Sequence, residues 1–244
     1  MSERIILTDL DEQMQEAVAD TRQRVAELHA ELPRWGLVVW TAGNVSERVV
    51  VDRGDGHVKT DLFVIKPSGV SYDELTADTM VVCTLDGEKI DDGTPASLTP
   101  SSDTAAHAYV YRHRGDVGGV VHTHSPYATA WAARREPIPC ALTMMGDEFG
   151  GDIPIGPFAL IGDDSIGRGI VETLEGSRSP AVLMANHGPF TVGKDARDAV
   201  KAAVMCEEVA RTMSIAEQLG EVKPIPADMV DRLNDRYQHV YGQH

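Results

Sequence analysis

Positive charge is what this 244-residue chain has too little of: 22 lysines and arginines face 38 acidic residues, a formal net charge of −16. The acidic side chains are spread along the chain rather than gathered in a tail, so the surface repels nucleic acid and anionic lipid at long range. Long apolar runs are missing as well. Stretches such as 62–65 and 181–185 fall far short of the ~18 residues a membrane span needs. Cysteine is scarce, and Cys83, Cys140 and Cys206 stand apart with no C-x-x-C pair among them. The opening residues, MSERIILTDLDEQ, have neither a basic n-region nor an apolar h-region. A reducing, cytoplasmic setting is the expectation. No internal repeat, low-complexity segment or Pro/Gly linker divides the chain, and its length is about 1.6 times a typical domain, so one domain over residues 1–244 is expected. The acidity has a further consequence. A protein this acidic that handles an anionic substrate must concentrate positive potential at one place, and that place should stand out.

What is present reads as one central sheet covered by helices. A helix is expected from Thr8 to about Glu31, with Leu10, Met14, Val18, Val25 and Leu28 on one face, Thr8-x-x-Asp11 as its capping box and Pro33 as its stop. Short β-branched runs follow at 37–41, 47–51, 62–66 and 80–85, the middle pair joined by the turn-rich 52–57 segment. Further expected elements are a helix capped by Ser101-Ser102-Asp103 and running to about Arg114, a strand over 118–124, and a helix from Ser125. Beyond them come a helix near 164–174, a strand at 181–185, a long helix over 195–219 closed by Gly220, and a C-terminal helix over 227–238.

Three histidines carry the first chemical signal. Val120-Val121-His122-Thr123-His124 places two imidazoles at i and i+2 where a strand runs out, on one face and about 7 Å apart. Alone, that pattern also describes two ordinary half-buried histidines. Residues 181–187 then repeat the design, an apolar strand delivering His187 at its end before Gly188, a glycine that permits a sharp turn. Asp103 can add a carboxylate from the head of the preceding helix. Three histidines with one carboxylate suit Zn²⁺ or another late first-row divalent ion, whereas Ca²⁺ and Mg²⁺ prefer oxygen cages. His29, His57, His107 and His113 lack such company and read as surface or packing residues.

Anion chemistry gives the second signal. Three small-residue loops carry exposed amides: Thr41-Ala-Gly-Asn44-Val-Ser46, Lys66-Pro-Ser68-Gly69 and Pro100-Ser101-Ser102-Asp103. Helix N-termini and glycine loops present convergent N–H donors, Ser68, Ser101 and Ser102 add hydroxyls, and Lys66 adds a full charge. Each loop alone has a plain alternative, a turn for KPSG and a helix cap for SSD. Together they form the local positive site that the acidic background requires.

These residues, with GNVS, IKPSGV, PSSDT, GVVHTHS, DEFGGDIP, NHGPFTVGKD and the terminal YGQ, resemble the L-ribulose-5-phosphate 4-epimerases of the class II aldolase/epimerase superfamily, over roughly residues 10–243 and in the family's order. The resemblance implies an α/β fold with a central, predominantly antiparallel sheet flanked by helices. It also implies a zinc site, a sugar-phosphate substrate, and a fourfold-symmetric homotetramer with active sites between subunits. Carried over residue by residue, Asp103, His122, His124 and His187 correspond to metal ligands. Asn44, Lys66, Ser68, Gly69, Ser101 and Ser102 correspond to phosphate contacts, and Asp147 and Tyr241 to the acid/base pair, Tyr241 coming from the neighbouring chain. Without the resemblance, Asp147 reads as a solvated loop carboxylate and Tyr241 as part of a frayed tail. The C4 proton of a ketopentose phosphate is not acidic, so inversion there requires C–C cleavage and re-addition to the other face, with acid/base groups on opposite sides.

The chain departs from the family pattern at Pro126-Tyr127, Met145 and Arg236, all toward the non-phosphate end of the substrate. A class II aldolase of the L-fuculose-phosphate type is the nearest rival. It shares both subsites but has Glu where this chain has Asp103, and lacks the association of Asp147 with GDIP. A noncatalytic module like the adducin head is a more distant rival, disfavoured because all three histidines are intact.

Overall fold

The computed structural model describes residues 5–54 and 56–239. Its strands are β1 (Asn44–Asp52), β2 (His57–Ile65), β3 (Val81–Thr84), β4 (Gly119–His122), β5 (Ile155–Gly156), β6 (Ala181–Met184) and β7 (Gly188–Gly193). Its helices are α1 (Glu12–Arg34), α2 (Thr104–His113), α3 (Pro126–Arg134), α4 (Thr143–Phe149), α5 (Ser165–Leu174), α6 (Ala196–Leu219) and α7 (Ala227–His239). The strands form one seven-stranded sheet in the order β3-β2-β1-β4-β7-β6-β5. Every pairing is antiparallel except that of β5 with β6.

Period-two alternation sorts the side chains into layers. In β4, Val120 packs with Val110, Ile166 and Ile170 of α2 and α5, while Val121 packs with Val18, Val25 and Ala199 of α1 and α6. Helices therefore cover both faces, and each fully buried valine contributes roughly 1.5–3 kcal/mol. A third cluster, with Trp131, Met145, Phe149, Val209 and Val230, joins α3, α4 and α7 to the second half of α6. Two glycines allow the long helix to come close. A Cβ on Gly119 would stand 2.3 Å from the Asp195 carbonyl carbon, and one on Gly193 would stand 2.5 Å from the Ala199 nitrogen.

Several sequence expectations need correction. The first helix is capped by Asp11, whose carboxylate accepts from Met14 N–H at 2.8 Å, and residues 7–9 form a separate 3₁₀ turn. Pro33 lies inside the last turn, where the missing N–H costs a single bond and the helix ends one residue later. Residues 37–41 form no strand: Leu37 is buried, but Val39 and Trp40 face solvent, Trp40 with φ +59°. Neither α4 nor β7 stands out in the sequence. β7 opens with Gly-Pro and closes with Gly, which reads as turn, yet it is a central strand because β4 and β6 pair with it on either side.

The register sets the site. Asn44 of β1 lies opposite His122 of β4, which lies opposite Phe190 of β7. The three strands thus bring residues distant in sequence to one end of the sheet.

Candidate active site

β4 stops at His122, and Thr123–Ser125 leave the sheet before α3 begins. The two imidazoles are therefore not spaced as on a strand. Ring centroids are 4.8 Å apart for His122 and His124, 4.5 Å for His122 and His187, and 5.2 Å for His124 and His187. One ligand nitrogen from each residue lies within 4.8 Å of the others. His187 arrives on the β6–β7 connection, where Asn186 rather than Gly188 takes the left-handed conformation, at φ +58°. Arg135 Nε holds the Asn186 side chain at 2.6 Å. Gly188 is needed for close approach instead, because a Cβ there would sit 2.7 Å from the Thr123 carbonyl oxygen.

The donor set fits a metal ion. His122 Nδ1 is 3.1 Å from the Pro189 carbonyl, which makes Nδ1 the donor and leaves Nε2 with its lone pair. That Nε2, the Nε2 of His187 and Oδ1 of Asp103 are all buried without a hydrogen-bond partner. Burial pushes the pKa of His122 down to about 3, and lowers those of His124 and His187 against the opposing pull of Asp103. All three are neutral at pH 7, as ligation requires. Asp103 stands outside the group of three, with Oδ2 accepting from Asn44 Nδ2 at 2.8 Å. Burial alone would raise its carboxyl, but His122, His107, the Asn44 bond and His187 outweigh that and hold it below the usual range.

The anion loops open into the same cavity. About 270 Å³ of space is lined by Thr41–Asn44, Lys66–Gly69, Ser101–Asp103, Ile161 and all three histidines. The two later loops are stitched together, with Ser101 N–H donating to the Lys66 carbonyl at 3.0 Å and Ser68 N–H to Thr99 at 2.8 Å. Lys66 is 2 % exposed, its Nζ 3.3 Å from the Thr41 and Pro67 carbonyls and 5.4 Å from the Tyr72 ring centre. Burial lowers its pKa to about 8. Asp103 occupies the N-cap position of α2 yet its side chain makes no capping bond, Oδ2 being given to Asn44; Ser101 takes the first amides instead, its carbonyl accepting from Thr104 N–H at 3.0 Å and its hydroxyl from Asp103 N–H at 3.3 Å. Gly69 takes φ +69° with open space where a Cβ would be. A larger cavity, about 670 Å³ between α1 and α6, is lined by the ion pairs Arg24–Glu47 and Arg34–Glu31 and contains none of the site residues singled out from the sequence.

Asp147 is not among the residues lining the site cavity. It lies half-buried on α4, its carboxylate 3.9 Å from Arg236 of α7 and its carbonyl accepting from Asn234 Nδ2 at 3.0 Å. Tyr241 lies outside the described residues. Met145 is wholly buried in the third cluster, so its departure from the family pattern is a matter of packing. Pro126 starts α3, whose first amides are capped by Glu207, from Tyr127 and Ala128 at 2.9 Å each. Sequence reading missed how deeply His107 is tied in. It is fully buried, with Nδ1 2.7 Å from Ser46 Oγ, which is in turn 2.7 Å from the Tyr111 hydroxyl. The available signals were the i, i+4 spacing of Asp103 and His107 and the placement of Ser46 two residues after Asn44.

Residues 23–214 match the family model for the class II aldolase and adducin N-terminal domain. The chain belongs to this family. Class II aldolases depend on a metal, and the histidine triad is a group able to hold one. Two curated relatives are named L-ribulose-5-phosphate 4-epimerase UlaF, from Salmonella paratyphi C (strain RKS4594) and Salmonella choleraesuis (strain SC-B67). Each is 44% identical over 212 residues, covering 82% of this chain and 86% of the relative. Among solved structures, an L-fuculose 1-phosphate aldolase superposes with a TM-score of 0.79 at 26% identity, covering 90% of this chain and 96% of that one. YgbL of Klebsiella pneumoniae gives a TM-score of 0.72 at 29% identity, covering 89% and 99%. The class II aldolase fold expected from the sequence is the fold observed. No helix among the described residues is long and apolar enough to cross a membrane.

Proposed function

We propose that this protein is a metal-dependent epimerase that inverts C4 of a ketopentose 5-phosphate, of the L-ribulose 5-phosphate to D-xylulose 5-phosphate type. The observation that carries the reading is the joining, in one cavity of about 270 Å³, of the histidine triad with buried Lys66 and the Ser68–Gly69 and Ser101–Ser102 loops. The 44% identity to named 4-epimerases selects the reaction within the family.

His122, His124 and His187 would hold Zn²⁺ or another divalent transition metal, with Asp103 as a fourth or weaker ligand. When bound, the ion supplies Lewis-acid stabilisation of negative charge on the substrate oxygens. Lys66, Ser68, Ser101 and Ser102, with Asn44 and the Gly69 amide, anchor the phosphate. A base removes the C4 hydroxyl proton, the C3–C4 bond breaks, and its electron pair passes into a three-carbon enediolate as the C4 aldehyde forms. The tethered glycolaldehyde phosphate rotates, the enediolate attacks its other face, and an acid returns a proton to the new C4 oxygen. Asp147 and Tyr241 take the acid and base parts on opposite sides. With Asp147 from the chain that bears the triad and Tyr241 from its neighbour, the site is completed between subunits, and the assembly proposed is a homotetramer.

The aldolase reading is favoured by the close superposition on an L-fuculose 1-phosphate aldolase. It is disfavoured by Asp103, whose shorter side chain is bound to Asn44 and stands next to the triad rather than reaching across the cavity. An adducin-like module has no use for the triad. A product assay on metal-loaded protein with several ketose phosphates separates these readings. Epimer without free aldehyde is expected, stoichiometric aldehyde would replace the epimerase with an aldolase, and no turnover of any ketose phosphate would favour the module.

A further inference from the structure

Lys66 is a buried cation held by neutral groups. Its Nζ donates to the Thr41 and Pro67 carbonyls at 3.3 Å each and lies 5.4 Å from the centre of the Tyr72 ring, and among the described residues no carboxylate pairs with it. A carboxylate in that place would neutralise the ammonium. Carbonyl dipoles and the negative face of an aromatic ring stabilise the charge instead and leave it available to an incoming anion.

Tyr72 also holds the backbone of the first anion loop. Its hydroxyl donates to the Ala42 carbonyl at 2.9 Å and lies 3.3 Å from the Gly43 carbonyl, and burial raises its pKa, so the proton stays on that oxygen. The N–H and C=O of one trans peptide point in opposite directions, so fixing the Ala42 carbonyl turns the Gly43 N–H away from Tyr72. Among the described residues nothing accepts from that N–H. Ala42, Gly43 and Lys66 line the site cavity, whereas Tyr72 does not. The tyrosine is itself well anchored, opening a 3₁₀ turn over Tyr72–Glu74 and packing on the core cluster of Val18, Val25 and Val45. We propose that Tyr72 is a positioning residue for the anion subsite: its ring face holds the Lys66 ammonium and its hydroxyl holds the Ala42–Gly43 backbone, so one side chain outside the cavity sets both the cation and the glycine loop. This role rests on the sugar-phosphate reading of the cavity.

The test titrates the metal-loaded full chain with inorganic phosphate and assays it with a ketopentose 5-phosphate and the free ketopentose. Tyr72→Phe keeps the ring on Lys66 and loses only the hydroxyl bond, so its dissociation constant for phosphate should rise about 3-fold. Tyr72→Leu loses the ring as well, and a rise of about 10-fold is expected. KM for the 5-phosphate should rise in step while kcat changes less than about 2-fold and kcat/KM for the free ketopentose stays put, a split that a loosened core would not give. In a Lys66→Met background the step from phenylalanine to leucine should vanish, because the ring acts through the ammonium. Should Tyr72→Leu not fold, Tyr72→Met, which also lacks a ring face, takes its place, and Tyr72→Phe decides the hydroxyl's part by itself. Wild-type phosphate affinity in Tyr72→Phe, a leucine variant no weaker than phenylalanine, or an equal loss on phosphorylated and free sugar would overturn the assignment while leaving the anion site standing. If the wild-type protein binds inorganic phosphate no better than Lys66→Met, the anion reading itself fails and the role of Tyr72 falls with it.

Discussion

Two regions of the molecule hold its chemistry in different ways. At the end of the central strands, hydrogen bonds between residues 57 to 67 positions apart lock Asn44 to Ser101 and Asp103, and His122 to Pro189. The groups held there are buried; the histidines are kept neutral and Asp103 ionised, as a cation needs, whereas burial lowers the pKa of Lys66 to about 8, against the charge an anion needs. At the α4–α7 corner, the seven-residue helix bearing Asp147 is fixed by docking. A Cβ on Gly146 would stand 2.7 Å from Leu233 Cδ1, Asn234 binds the Asp147 carbonyl, and Lys201 pairs with Glu148 at 3.1 Å. The Asp147 carboxylate itself meets Arg236 across a longer gap of 3.9 Å, with the arginine half-exposed. The contrast teaches that, on the proposed reading, substrate binding is built into one chain, whereas proton transfer is completed only where two chains meet.

The largest expected effect breaks the first region. A His122→Asn/His124→Asn variant should lose its metal and on the order of 10³-fold or more in kcat/KM while staying folded, because neutral imidazoles are the ligand set. Elemental analysis showing undiminished metal would refute the assignment. Next comes the second region, where Asp147→Asn or Tyr241→Phe should cost about 10²-fold or more in kcat and leave metal content and KM nearly unchanged. Mixing the two inactive chains sharpens the comparison, since hybrid tetramers with an intact pair at some interfaces should regain activity. A mixture that exchanges subunits by mass and stays dead removes the shared site.

Lys66 gives a smaller effect with a pH signature. Lys66→Met should raise KM for a ketopentose 5-phosphate about 10-fold, the worth of one charge-assisted hydrogen bond, and leave the unphosphorylated sugar unaffected. Burial sets the pKa of Lys66 at about 8, so the free enzyme loses this cation as pH rises through that value. KM of the wild type should climb above pH 8, and a flat profile matching that of the methionine variant would remove Lys66 from the anion site.

The smallest effect concerns stability. His29 is wholly buried, with Nδ1 2.6 Å from the Val25 carbonyl and Nε2 accepting from Val45 N–H at 2.9 Å, and burial lowers its pKa to about 3. The unfolded chain therefore binds more protons between about pH 3 and 6.5, and stability falls as pH drops through 6.5. Between pH 7.5 and 6 this histidine should cost under about 1 kcal/mol. Urea midpoints of the metal-free wild type and His29→Gln should show that difference in slope; parallel slopes would mean that His29 titrates in the fold.

Legibility in the sequence was uneven, for physical reasons. His122, His124 and His187 were readable as candidate ligands because apolar runs leading into histidines announce the strands β4 and β6 and put the imidazoles at or just beyond their ends. Lys66, Ser68 and Ser101 were readable because turn and helix-start chemistry depends on local residues. β7 was not, since its Gly-Pro opening argues against a strand until neighbours on both sides supply the ladder. Residues 37–41 misled in the opposite direction, having strand composition with no strand to pair with. His107 looked like packing because its neighbours in the chain say nothing of Ser46, which reaches it from the adjoining strand.

By itself, then, the sequence determined the class of fold and singled out the candidate metal ligands and candidate anion loops, all of which rest on local patterns of period, charge and turn residues. Only the tertiary structure decided that Asp103 gives its carboxylate to Asn44 rather than to its own helix, that Asn186 and not Gly188 makes the turn, and that Arg236 stands beside Asp147. Each of those is a contact between segments far apart in the chain, fixed by sheet register and helix docking, and no local pattern encodes it.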